Sequence, residues 1–220
     1  MKKILLVTAL LVSLMFCVAT FGWAGALDDA KAGIEAYKLG DCDEAIRLFT
    51  KAIESGELSR KNLSIVYYNR GNAWRKTGEY DQAIADYTKA IEIDPKHVNA
   101  YNNRGNAWKK RGDYDQAIAD YTKAIEIDPK HVNAYNNRGI SWADKGDYDQ
   151  AIADYTKAIE LNPKDASAYY NRGLAWEKKG DYDKAIADYR KAIEIDPKYV
   201  DASYYSAKAM LELMKREVTR

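Results

Sequence analysis

Histidine, cysteine and proline are scarce in this chain: two, two and four among 220 residues. With imidazole confined to His97 and His131, no Cys and His set has the spacing of a zinc site. No nucleophile elbow occurs, and no glycine-rich phosphate loop follows a strand. Catalysis therefore has no constellation to carry it, and neither a metal nor a cofactor is expected. Charge of one sign is lacking too: 34 Lys and Arg face 33 Asp and Glu. That balance excludes a generally basic phosphate-binding surface, so no nucleic-acid partner is expected.

The one long apolar run lies at the front. Lys2 and Lys3 precede an uncharged stretch from Ile4 that reaches Ala24-Gly25-Ala26, an A-x-A cleavage signature. Residues 1–26 read as a secretory signal peptide, which implies export to the periplasm or cell envelope. The alternative is an inner-membrane anchor through residues 4–26, because the run is long enough to span a bilayer if uncleaved; only then would the membrane be a partner. Cys17 follows Phe16 rather than a small residue, which argues against lipidation. Cleavage would turn the net charge of +1 to about −1 and leave Cys42 as the sole cysteine, without an internal disulfide. Cys42 reads as a buried or half-buried thiol rather than an intermolecular bridge.

What the chain has in abundance is repetition. Residues 81–105 recur unchanged as 115–139, an offset of 34. Units of that length cannot bury a core alone and must stack. Four regular units run 64–97, 98–131, 132–165 and 166–199, preceded by a divergent first unit within 27–63 whose worn copy covers Ala26 to Ser59. Residues 200–217 read as an amphipathic capping helix, with 218–220 as a tail. Inside a unit the apolar residues keep helical spacing, as in Tyr101, Gly105 and Trp108, then Ala117, Ile118, Tyr121, Ala124 and Ile125. Gly112 ends the first helix, Asp113 with Gln116 reads as an N-cap and capping box opening the second, and Pro129 stops it.

Tyrosine, two residues, Arg-Gly, two residues, tryptophan, then Ala-x3-Tyr and a closing proline resemble the tetratricopeptide repeat (TPR). The likeness covers residues 26–199. It departs from the usual pattern in that Trp and Tyr exchange places and Arg70, Arg104, Arg138 and Arg172 replace a customary leucine. The resemblance implies an all-α, right-handed α-solenoid of five helix-turn-helix units plus the capping helix, a crescent whose first helices line a concave face.

Asp86, Asp120, Asp154 and Asp188 lie sixteen residues after the four arginines, and both columns are lost together in the first unit as Ala32 and Leu48. Each Arg is expected to pair with its Asp, between or within helix pairs, with its stem packed on the neighbouring aromatics; the alternative is that both charges reach solvent separately. Trp74, Trp108, Trp142 and Trp176 read as core rather than a ligand cage. His97 and His131 read as exposed turn residues after the prolines.

Function is then sought on the concave face. The units 98–131 and 132–165 differ at eight places, five of them in one stretch: Asn106, Ala107, Lys109, Lys110 and Arg111 against Ile140, Ser141, Ala143, Asp144 and Lys145. A partner-binding groove is expected from Asn69, Asn72, Arg75, Asn102, Asn103, Asn106, Lys109, Asn136, Asn137, Ile140, Asn171 and Leu174, polar and basic at one end and apolar and acidic at the other. The column Asn69, Asn103, Asn137 and Asn171 is similar to the asparagine ladder of glycosyltransferase-type TPR domains, which would hold a peptide backbone; equally, it would bond to the adjacent unit. The lysines of a chaperone-tail carboxylate clamp are missing, with Ala30, Tyr68, Asn102 and Asn136 in their column. The expected function is a non-catalytic scaffold binding a protein or extended peptide. The alternatives are a glycan-binding protein using Tyr68 and Tyr170 as platforms, and a homo-oligomerising module.

Overall fold

The computed structural model describes residues 25–199 and, beyond them, 205, 206, 208–211, 213 and 214. The expected signal peptide therefore lies outside the described residues except for Gly25 and Ala26, which open the first helix. The expected tail lies outside them as well. The elements are α1 (residues 25–39), α2 (Cys42–Glu54), α3 (Arg60–Thr77), α4 (Tyr80–Ile93), α5 (Val98–Lys110), α6 (Tyr114–Ile127), α7 (Val132–Lys145), α8 (Tyr148–Leu161), α9 (Ala166–Lys179), α10 (Tyr182–Ile195) and α11, formed by the described residues from 205 to 214. No strand occurs among the described residues, and the fold is an all-α solenoid of helix pairs. No described helix is long and apolar enough to cross a membrane. The helices form two compact units, up to Ala107 and from Trp108 onward.

Helices pair because the second of each pair presses a ring against a glycine of the first. In the first compact unit a methyl group added to Gly71 would come within 2.8 Å of Tyr87 Cε1, and one on Gly33 within 2.7 Å of Phe49 Cε1. In the second, Gly139 meets Tyr155 and Gly173 meets Tyr189 at 2.8 and 2.7 Å. Phe49, Tyr87, Tyr155 and Tyr189 are fully or almost fully buried as a result. Alanines complete the contact, among them Ala83 and Ala90 in α4 and Ala151 and Ala158 in α8. Cys42 is buried.

The turn within each pair is built from main chain. At the end of α7, Gly146 has φ of 89°, its N–H bonds Ala143 O at 3.0 Å, and the Asp147 N–H bonds Trp142 O at 2.9 Å. This double bond is the Schellman closure, for which the left-handed conformation favours glycine. It also corrects the expected capping box at Asp113 and Gln116. The Asp113 N–H is committed to Trp108 O at 3.0 Å, so no donor is left for the glutamine, and the Asp113 carboxylate makes no cap bond. Asp41 does cap α2, accepting from the Glu44 N–H at 3.1 Å.

Three arginines of the column are paired with their aspartates. Arg70 donates to both Asp86 oxygens at 2.7 and 2.8 Å, as Arg138 does to Asp154 and Arg172 to Asp188. The third guanidinium nitrogen reaches back to a threonine of the preceding helix pair: Arg70 to Thr50, Arg138 to Thr122, Arg172 to Thr156 at 2.9 to 3.0 Å. Each of these arginines also lies over a tyrosine ring, Tyr67, Tyr135 or Tyr169, at 5.6 to 5.7 Å. The aspartates are buried, so losing one partner would strand a charge, and the bond specifies which helix stacks on which.

Tryptophans are half-buried rather than fully interior. Trp142 and Trp176 pack on the core of Ala151, Tyr155 and Ala175. Their outer faces carry cations, Lys145 at 5.5 Å from the Trp142 ring and Lys184 at 4.3 Å from that of Trp176. His97 and His131 are also half-buried, contrary to the exposed turns expected for them. Each caps a helix, with Nδ1 accepting from the N–H of Ala100 at 3.3 Å or Ala134 at 3.1 Å. Burial pushes the His97 pKa down, against the raising effect of Asp94.

Candidate functional site

In the first compact unit one side of α3 presents the half-buried Tyr68, Asn72 and Arg75 at helical spacing, with Tyr87 of α4 bonded to Asn72. The hydroxyl of Tyr87 donates to Asn72 Oδ1 at 2.8 Å. Asn103 from α5 donates to the same oxygen at 2.9 Å and to the Tyr68 hydroxyl at 3.1 Å. Asn102 in turn donates to Asn103 Oδ1 at 3.2 Å. These residues form one network, and its amide orientations are dictated by the donors around them. Arg75 stands at its edge with a buried Nε that has no hydrogen-bond partner among the described residues. Burial raises the Tyr87 pKa strongly, and the Arg75 charge offsets part of that rise. Asn69 and Asn106 are half-buried on the same helices.

In the second compact unit the corresponding positions differ in character. Lys109 is half-buried, and loss of hydration lowers its pKa while the Asp144 carboxylate works the other way. Asn136 is buried, 8% exposed, with its Nδ2 donating to Asp165 Oδ2 at 2.7 Å and its Oδ1 without a partner among the described residues. Ile140 packs on the Tyr155 cluster. Asn137 and Asn171 are half-buried. Leu174 joins Tyr170, Tyr189, Tyr199 and Tyr205 in one cluster. Glu177 accepts from the Tyr189 hydroxyl at 2.8 Å and from Lys208 at 2.9 Å, leaving its side chain 14% exposed. Burial, then the bond to Glu177, raises the Tyr189 pKa strongly.

Four expectations are changed or narrowed. Asn102 and Asn136 are not open groove residues: both are buried, and Asn136 is spent on the turn residue Asp165. The varied stretch is not wholly on the free face, because Ala107 and Ser141 are fully buried, the serine hydroxyl being satisfied by Asn137 O at 3.1 Å. For Asn103, the bonds to Tyr68 and Asn72 put the amide to use between helix pairs. Tyr68 and Tyr170 are poor stacking platforms, since Tyr68 lies against His97 at 4.7 Å and Tyr170 against Tyr199 at 5.5 Å and Tyr205 at 6.1 Å.

Sequence reasoning missed the threonine of each Arg bond and the cover over Glu177. The first was readable: Thr88, Thr122 and Thr156 recur, and the series breaks at Arg190 where the following unit has Ser206 in place of an arginine. The second rests on Tyr205 and Lys208, outside the strict repeat. Among the described residues no group of three or more His, Cys, Asp or Glu side chains could hold a metal.

Comparison with known proteins agrees with the geometry. A tetratricopeptide repeat model matches residues 64–97 and 98–131, and a second one matches 136–200. Two crystal structures of MamA are 28% and 27% identical, with TM-scores of 0.69 and 0.71, covering 77% and 80% of this chain and 96% and 94% of theirs. YrrB, described as a TPR protein with an unusual peptide-binding site, shares the fold at 22% identity and a TM-score of 0.68, over 81% of this chain and 90% of its own. Curated relatives include the protein unc-45 homolog B of Danio rerio, 35% identical over 31% of this chain and 7% of the relative. TOM70, a mitochondrial import receptor subunit of Homo sapiens, is 34% identical over 34% of this chain and 13% of its own. The SGT1 homolog of Oryza sativa subsp. japonica is 37% identical over 36% and 20%. The chain thus spans a fifth or less of the length of these three relatives. Repeat pattern, helix pairing and family models converge: this chain belongs to the tetratricopeptide repeat family, whose members generally mediate protein–protein interaction.

Proposed function

We propose that this protein is a non-catalytic scaffold that binds an extended segment of a partner protein along the free sides of its first helices, in the cell envelope or periplasm to which residues 1–26 would direct it. One observation carries this most directly. Two units that agree at all but eight places differ at Asn106, Lys109 and Lys110 against Ile140, Ala143 and Asp144, and all six side chains are half-buried or exposed. Outside this stretch the two units differ only at three positions where the second helix ends and turns, Ile127, Asp128 and His131 against Leu161, Asn162 and Asp165, so the change of surface chemistry is concentrated at the end of the first helix. The network of Asn72, Asn103, Tyr68 and Tyr87 supports the same proposal, because it holds polar groups in place before any partner arrives and so reduces the ordering cost of binding.

The test is affinity capture from envelope extract with the unaltered chain and with Asn106→Ala/Lys109→Ala. The double variant should lose the captured partner at an unchanged thermal midpoint. Equal capture by both would count against this face. N-terminal sequencing of the exported protein checks the location, with a mature terminus at Leu27 expected.

A further inference from the structure

The 34-residue period is broken once. The worn first copy ends at Ser59 and the next unit begins at Ser64, so Arg60 to Leu63 have no counterpart elsewhere. α3 takes them up as about one extra helical turn, running 18 residues where α7 and α9 run 14. Register beyond the insertion is kept: Arg70 reaches Thr50 at 2.9 Å over twenty residues, where Arg172 reaches Thr156 at 3.0 Å over sixteen. The added turn stands beside the connection between α4 and α5, and the two wall a solvent-open cavity of about 610 Å³. That size lies within the range of small-molecule sites, roughly 300 to 1,000 Å³.

Its lining is basic at the rim and apolar below. Arg60 and Lys61 come from the added turn, Lys96 and His97 from the opposite connection, and Ile65 and Ile93 supply carbon surface. Ile65 is 39% exposed, and the other three regular units carry Asn99, Asn133 and Ser167 in its place. Asp94 is the only acid in the lining, and its Oδ1 accepts the Lys96 backbone N–H at 3.1 Å. Many lysines elsewhere are neutralised by a carboxylate three residues on, as Lys89 is by Glu92 and Lys157 by Glu160. The side chains of Arg60, Lys61 and Lys96 have no ion pair among the described residues.

Arg60 and Lys61 are also placed against the helix field. They occupy the first turn of α3, which contains no acid. Unbonded amides make that end positive, and anions are favoured there. Ser59 Oγ satisfies only the Asn62 N–H, at 3.3 Å. Two cations on the positive end of a helix are a local conflict that an anion would resolve. His97 contributes a further donor: with Nδ1 accepting from Ala100, the neutral ring carries its proton on Nε2.

We propose that this cavity binds a small organic anion, a phosphate or carboxylate attached to an apolar chain, with the charged group at Arg60, Lys61 and Lys96 and the chain over Ile65 and Ile93. It is separate from the partner-binding proposal and does not depend on it.

The probes are n-octyl phosphate and octanoate, titrated into the full chain while the ring resonances of His97 are followed by NMR, with n-octylammonium and inorganic phosphate as controls. Either amphipathic anion should shift His97. Arg60→Glu/Lys61→Glu, at two exposed positions, should weaken binding by about tenfold or more without lowering the thermal midpoint, since acids suit a first turn. Ile65→Asn should weaken n-octyl phosphate but leave inorganic phosphate unchanged. Absence of a His97 shift with both anions at millimolar concentration would overturn the proposal. So would equal binding by the charge-reversed variant, or equal binding of n-octylammonium.

Discussion

The same three columns of a first helix meet opposite fates in α3 and α9. Tyr68 and Asn72 in α3 are tied into a network by Tyr87 and Asn103, and Arg75 stands beside them with its Nε unpartnered among the described residues. Tyr170, Leu174 and Glu177 in α9 are covered by the chain itself: Tyr205 packs in their cluster and Lys208 binds Glu177. Beneath both lies the same frame, a buried tyrosine against a glycine and an Arg bonded to an Asp. Scaffold and surface are therefore set independently. The expected apolar and acidic end of a partner groove is, at Leu174 and Glu177, covered by Tyr205 and Lys208 of α11.

Breaking the frame should hurt both regions alike. Asp86→Ala and Asp188→Ala each leave a half-buried guanidinium unpaired and should cost about 3 kcal/mol in urea denaturation. Losses that differ by more than about 1 kcal/mol would show that the covering helix supports its own frame and would break the comparison.

The tyrosine hydroxyls sharpen it. Tyr189→Phe removes a bond to a carboxylate and should cost about 1.5 to 3 kcal/mol, against about 1 kcal/mol for Tyr87→Phe, which loses a bond to a neutral amide. Both phenols are raised above their ordinary value, chiefly by burial, but Arg75 pulls Tyr87 down whereas Glu177 pushes Tyr189 further up. A raised phenol binds its proton more tightly in the folded state, so its contribution is intact below about pH 10 and declines above it. Phenolate absorbance of the two variants should show Tyr87 ionising before Tyr189; the reverse order would contradict the charge contrast.

The smallest effect is expected at the cover. Lys208 is half exposed, so Lys208→Ala should cost less than about 1 kcal/mol while opening Glu177 to solvent. Faster amide exchange in α11, with α10 unchanged, would report that the cover can lift without disturbing the frame.

Much of the frame was legible because each residue answers to a partner at a constant spacing. Arg138 and Asp154 recur together and vanish together in the first unit, which marked them as a pair. Thr156 carried an equal signal, since Arg190 replaces it where Ser206 replaces the arginine, and it went unread. The capping box failed because Asp113 and Gln116 match its letters, while the amide it needs is already used by Trp108. Burial of Asn102 and Asn136 was not legible: an asparagine on a helix face is open or closed according to what a turn 29 residues later places over it, here Asp165 for Asn136.

From the sequence alone came the period, the two helices per unit, the tyrosine and glycine core and the ion-pair columns, because repetition makes local propensity and packing partners recur together. Only the tertiary structure decided which columns stay open. Covering depends on contacts between residues of different units, and a four-residue insertion can become a loop or a helical turn at equal cost to the pattern. Here it became a turn of α3 and part of the wall of a cavity, while the Arg70 to Thr50 bond keeps the register on its far side.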